Sequence, residues 1–284
     1  AVDPYFSVWS TSDNLYEDTT RHWTGKPNGM TGILWIDDRA YCFMGKTSER
    51  MEVLSQQSVE VKPLSTIYTF TGYGVKLQVK FTTPLLLSDL ELMSRPVSYV
   101  DFQVNSTDNQ VHKVKIYFDV TGEWCVNTPD QKVQWGRKVI SGNLEAMYMG
   151  NEKQEVLSKA GDDIRIDWGY FYLAVPEENE ISCQTVIEGS EIRDEFILKG
   201  TISEKDSEEM PGSLEEKMVV MAAVMDLGEV DSYEKACYLI LAYDDIKSIE
   251  YFNKPLDALW RREGASFERL LAKATEEHEE IRIR

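Results

Sequence analysis

The stretch Gly161–Pro176, GDDIRIDWGYFYLAVP, constrains this chain more than any other. It opens on a turn signal, Gly161-Asp162-Asp163, and closes at Pro176. Read as an extended strand, it puts Ile164, Ile166, Trp168, Tyr170 and Tyr172 on one face. Arg165, Asp167, Phe171, Leu173 and Val175 fall on the other. The second face turns apolar at Phe171, so the far half of the strand is predicted to be covered on both sides. Such a strand belongs in the middle of a packed sheet.

The rest of the chain reads as more sheet around that strand. Ile33–Ile36 and Tyr41–Met44 form a predicted hairpin about Asp37-Asp38-Arg39. Thr66–Phe70 and Val75–Thr82 form a second, joined by Thr-Gly-Tyr-Gly. In Val75–Thr82, apolar Val75, Leu77, Val79 and Phe81 alternate with Lys76, Gln78 and Lys80. One face is therefore buried and one wet. A third predicted hairpin joins Val97–Val104 to Val111–Val120, with Lys113, Lys115 and Tyr117 on its open face. Shorter strands are predicted at Val139–Ile140, Glu145–Met149, Ile181–Ile187 and Glu195–Leu198. Two strongly apolar ones follow at Met218–Met225 and Ala236–Tyr243. Many strands at short spacing predict a mainly β fold, a large antiparallel β-sandwich.

From Asp245 the pattern turns helical, and Ser266 is placed to cap a last helix. Phe267, Leu270, Leu271, Ala274, His278 and Ile281 recur on one side of it, with glutamates on the other. This helix reaches Arg284 without a Gly or Pro stop. Two readings stay open: a helix leading into further chain, and a terminal helix docked on the sheet.

The chain of 284 residues is long enough for a full core. Its net charge of −19 repels phosphate backbones and anionic lipid, which argues against nucleic acid and membrane-surface partners. No stretch approaches the roughly 20 apolar residues of a membrane span, so membrane insertion is not expected. The acidic segment Glu204–Lys217 reads as a solvated loop. Cys42, Cys125, Cys183 and Cys237 are far apart and form no C-x-x-C pair, so no metal site or disulfide framework is expected. The first residues carry no signal peptide, and composition fits a cytosolic chain and a mature exported one alike.

No catalytic motif can be read from residue types and spacing. Carboxylates are plentiful, but a glycosidase pair must stand about 5–10 Å apart across a sugar bond, and sequence spacing does not show that. Asp162-Asp163 and Asp244-Asp245 sit at turn and cap positions, where Asp is common for local reasons. Of three histidines, His112 starts a strand among lysines and is predicted to be exposed, while His278 lies on the last helix. His22, in Arg21-His22-Trp23-Thr24-Gly25, is a candidate base, with an orienting or packing role as its alternative. Seven tryptophans invite a sugar-stacking reading, although large β cores also consume aromatics.

Several stretches together resemble one family. They are PYFSVWS (4–10), RHWTG (21–25), GMTG…YCFMG (29–45), FTTPLL (81–86) and GEWCVNTPDQKVQW (122–135). GDDIRIDWGYFYLAVP (161–176) and LAYDDIKSIEYFNKPLDALWRREG (241–264) complete the set. In this order they resemble the N-terminal region of the glutaminase A-like proteins, large secreted or envelope-associated bacterial and fungal proteins. The turn at Asp37-Asp38-Arg39 departs from the pattern by lacking a Gly.

The resemblance implies a supersandwich followed by an α-helical toroid. Residues 1–60 would be a leader packed on the sandwich, 61–264 the β-sandwich domain, and 265–284 a linker helix toward the toroid. It implies a glutaminase that turns L-glutamine into glutamate and ammonia without a cofactor, in a secreted or periplasmic setting. The sandwich itself is expected to be non-catalytic, with the helical domain of the same chain as its partner. The residues expected to line a composite site are His22 and Glu123 for proton handling, and Arg21, Trp23, Trp124 and Asp130 for binding. A carbohydrate-binding accessory domain, with a glycan ligand held on an exposed Trp such as Trp124, is the alternative. A self-contained interaction module is a third reading.

Overall fold

A computed structural model describes residues 5–46, 51–141, 144–177 and 181–283. Two antiparallel sheets carry the fold. The smaller has five strands, in spatial order β11 (Ser182–Gly189), β13 (Val219–Val230), β7 (His112–Thr121), β1 (Met30–Ile36) and β2 (Arg39–Met44). The larger has nine, beginning β12 (Gly212–Ser213), β8 (Lys132–Ser141), β9 (Leu144–Asn151) and β10 (Tyr170–Ala174). It continues with β14 (Lys235–Asp244), β6 (Val97–Ser106), β5 (Val75–Thr82), β4 (Ser65–Gly72) and β3 (Ser55–Val61). A separate hairpin pairs β15 (Ile249–Tyr251) with β16 (Lys254–Leu256). Helix α1 is one turn, Leu90–Met93, and α2 spans Ile192–Lys199. The chain's last helical segments are α3 (Phe267–Glu276) and α4 (His278–Ile283). The protein is a β-sandwich, as its alternating patterns predict.

Apolar side chains from both sheets meet between them. Phe102 of β6 and Phe118 of β7 touch edge to face, with ring centroids 6.0 Å apart. These two strands are not the predicted hairpin. β6 pairs with β5 and β14, whereas β7 pairs with β1 and β13. The chain changes sheets between them, so their inward faces oppose each other across the core. Each sheet also has an outer cover. On the five-stranded side, α2 lays Phe196 on Tyr117 at 5.1 Å, which buries the Tyr117 expected on an open face. On the nine-stranded side, Phe267, Leu270, Leu271, Ala274, His278 and Ile281 pack over β6, β10 and β14.

Three local expectations need correction. Glu195–Leu198 is helix, not strand, closed by Gly200 in the left-handed conformation at φ 64°. The strand predicted from Ile164 begins only at Tyr170. Gly169, at φ 74°, reverses the alternation just before it. Ile166 and Trp168 therefore join Phe171 and Leu173 in the inter-sheet core, while Tyr172 and Ala174 face α3. A Cβ on Gly169 would sit 2.1 Å from the Asp244 carbonyl oxygen. Finally, His112 is buried rather than exposed, because Asp37 Oδ2 (2.6 Å) and Asp108 Oδ1 (3.1 Å) hold its two ring nitrogens.

The other expectations fare as follows. The Asp37-Asp38 turn manages without Gly because both residues take positive φ, 46° and 72°, which Asp tolerates. Ser266 caps α3 by accepting from the Arg269 amide. β1, β2 and β3 all lie in the first sixty-one residues and are ladder strands of the two sheets.

A loop cluster gathered around Arg165 as candidate functional site

Where β1 begins and β7 ends, three loops come together. The first is Trp9–Gly29. Trp9 and Arg21 exchange backbone hydrogen bonds at 2.8 and 2.9 Å, and the chain then turns tightly, His22 N–H donating to the Lys26 carbonyl at 2.8 Å. Arg21 places Nε and Nη2 on the two oxygens of Asp18, both at 3.1 Å, and Nη1 on the Gly25 carbonyl at 3.1 Å. This fork holds the Asp18 carboxyl down at about 2 and raises the guanidinium in turn. His22 is buried. Its Nδ1 accepts from the Thr24 amide at 3.3 Å and stands 3.0 Å from the Thr24 hydroxyl. His22 is thus tied into its own turn, while Trp23 beside it is 51% exposed.

The second loop follows β7. Glu123 is half-buried, and its Oε2 accepts from the Gly29 amide (3.1 Å) and the Thr121 hydroxyl (2.8 Å). Its Oε1 has no hydrogen-bond partner among the described residues. Trp124 is 5% exposed. It lies flat on Phe171, centroids 4.5 Å apart and planes 7° apart, and donates from Nε1 to the Gly29 carbonyl at 3.3 Å. It is a core residue, not the exposed stacking platform expected. Cys125 is also buried; its thiol is pushed up to about 12 and points to the Gly122 carbonyl. Asp130 is exposed, beside a polar hollow of about 540 Å³, and bonds to none of the other candidates.

The third loop, 161–169, supplies Arg165, which sequence reasoning placed on a strand face and left out of the candidates. Its Nη1 donates to the Pro27 carbonyl (2.7 Å) and the Glu123 carbonyl (3.3 Å). Its Nη2 donates to the Asn127 carbonyl at 2.7 Å, and its own amide donates to Asn127 Oδ1 at 3.0 Å. Burial pulls this guanidinium below the usual arginine range, against the attraction of Glu123 and Asp163. Two residues on, buried Asp167 accepts from Gln131 Nε2 at 2.8 Å and pairs with Lys159. Gln131 in turn accepts the Asn127 and Thr128 amides at 2.6 and 3.1 Å, which closes the 127–131 turn. Arg21, His22, Trp23, Glu123 and Trp124 therefore share one cluster, and Asp130 stands at its margin.

A large antiparallel double sheet with a polar loop cluster at its mouth defines the class of protein. Residues 64–284 match a family described as a domain of unknown function (DUF5127), and residues 1–56 match a second one (DUF4964). The chain belongs to the DUF5127 family, and within it is glutaminase A-like. It is 26% identical over 272 residues to a protein named glutaminase A from Aspergillus oryzae, covering 91% of this chain and 38% of that one. A protein assigned as a glutaminase in Arthroderma benhamiae is 24% identical over 279 residues, 87% of this chain and 29% of that one. The chain thus spans less than two fifths of either relative. Among solved structures, one assigned as a kojibiose phosphorylase from the human microbiome aligns over 77% of this chain and 23% of that chain. Its TM-score is 0.38, at 8% identity. One assigned as an aldose 1-epimerase from Escherichia coli K12 aligns at TM-score 0.29 and 8% identity, over 75% and 78%. No helix among the described residues is long and apolar enough to cross a membrane.

Proposed function

We propose that this chain is the β-sandwich part of a glutaminase-type amidohydrolase, which splits the side-chain amide of L-glutamine with water into glutamate and ammonia. The observation that carries the reading is the 26% identity to glutaminase A across 91% of this chain. In this reading the sandwich is inactive by itself and forms one wall of a composite site. Amide hydrolysis needs an activated nucleophile or water together with oxyanion donors. The Cys125 thiol is buried and protonated, so it does not serve as nucleophile. Glu123, whose Oε1 has no hydrogen-bond partner among the described residues and whose charge attracts Arg21, is the group of this chain suited to handle a proton at that wall. Arg21 keeps spare N–H groups that suit an α-carboxylate.

Ammonia release from L-glutamine, measured side by side for the 284-residue chain and for the whole polypeptide that carries it, tests this. Release by the whole polypeptide alone is expected. Release by the chain alone would overturn the inactive-wall assignment, and release by neither would overturn the glutaminase reading. Within the active polypeptide, Glu123→Gln is expected to lower turnover by about 100-fold. His22→Ala, which loosens the turn next to Arg21, is expected to lower it less.

A further inference from the structure

We infer that Arg165 is a positioning residue, which fixes Glu123 and the 21–29 loop relative to each other. The inference rests on the reading above, in which Glu123 handles a proton. Its footing is the way this side chain is housed. Arg165 is 6% exposed, yet no carboxylate lies within ion-pairing distance among the described residues. Its Nε is buried without an acceptor. Arg95, Arg137, Arg193 and Arg261, by contrast, each contact at least one carboxylate.

A guanidinium buried without a counter-ion is costly, and a purely structural cross-link could be made from an apolar residue or a paired arginine at smaller cost. What the unpaired form provides is reach. One planar fork holds carbonyls of Pro27, Glu123 and Asn127, which belong to the two loops carrying Arg21, His22, Trp23, Glu123 and Trp124. The attraction of Glu123 and Asp163 partly offsets the burial of its charge. Asp163 is in turn paired with Lys26 at 3.7 Å.

The test compares the whole polypeptide with its Arg165→Lys and Arg165→Met forms. Lysine keeps the charge but cannot span the carbonyls; methionine removes both. In both variants kcat is expected to fall about tenfold while KM for glutamine stays near the parent value. Retaining the charge alone does not rescue turnover, so Arg165→Lys falls together with Arg165→Met. Parent-level turnover in either variant, or a loss of activity that only tracks a loss of folded protein in urea unfolding, overturns the proposal. If the unsubstituted polypeptide releases no ammonia, the glutaminase reading falls. The positioning claim is then read by amide exchange. Faster exchange in Arg165→Met, confined to residues 22–29 and 121–131, upholds it; unchanged or uniformly faster exchange overturns it.

Discussion

Arg193 and Arg165 are two guanidiniums set into the same sandwich with opposite surroundings. Arg193, on α2, places Nε and Nη2 on the two oxygens of Asp119 at 2.6 and 2.8 Å. Asp119 is fully buried and also accepts the Tyr117 hydroxyl at 2.6 Å. Burial works against the Arg193 charge, but the facing carboxylate outweighs it and the group is raised. Arg165 meets only carbonyls at close range, and burial wins. A satisfied ion pair of the first kind clamps a helix to a sheet and leaves little charge over. The second kind leaves charge to act on whatever approaches, which is the arrangement expected at a site rather than in a scaffold.

The largest effect expected from breaking this contrast lies on the paired side. Asp119→Ala leaves the buried Tyr117 hydroxyl and the half-buried Arg193 without their shared carboxylate and should cost about 3–5 kcal/mol in urea unfolding. Arg165→Met frees carbonyls that water can reach once the side chain is gone, and it removes an uncompensated charge. Its cost should be smaller, about 1–3 kcal/mol. Equal losses for the two variants would mean that Arg165 is as much a scaffold clamp as Arg193.

His112 lies between these extremes, because its carboxylate partners are partly in water. The hydrogen bond to Asp37 raises His112, burial opposes it, and Asp108 adds to the rise. A raised folded-state value gives stability that is complete below the unfolded value of about 6.5. It is lost as pH climbs through the folded value. The urea midpoint of His112→Ala should therefore fall short of the parent by more at pH 5.5 than at pH 8.5. A gap that is constant, or wider at pH 8.5, would sink this assignment.

How much of this was legible in the sequence depends on what each residue bonds to. Val75–Thr82 shows its buried face because side chains alternate, and alternation is a sequence property. Phe102 and Phe118 show equally well that both point inward. The same pattern cannot say whether two inward faces lie side by side in one sheet or face to face across the core. The phase of Ile166 and Trp168 was misread because a single positive φ at Gly169 resets the count. α2 was misread because its EFIL run is short and apolar, although Gly200 and the acidic first turn were helix signals. In the loop cluster, Arg21, His22, Trp23, Glu123 and Trp124 came from motif stretches, and the fold brings them together. Arg165 was missed because its partners are backbone carbonyls, which every residue owns and no motif records.

The smallest effect is expected at the rim of the cluster, where two neighbouring motifs each offer a tryptophan. Trp124 is stacked on Phe171 inside the sandwich, and its loss would be felt as a core cavity. Trp23 is 51% exposed, and its ring meets His22 at 5.5 Å. Removing an exposed ring forfeits little burial, so Trp23→Ala should change stability by less than about 0.5 kcal/mol. If Trp23 lies on the wall that meets substrate, the same substitution should raise KM for glutamine in the whole polypeptide while kcat stays near the parent value. A KM unchanged by Trp23→Ala would confine the wall to Arg21 and Glu123. A large loss of stability would show that the turn's exposed ring belongs to the frame that Arg165 holds.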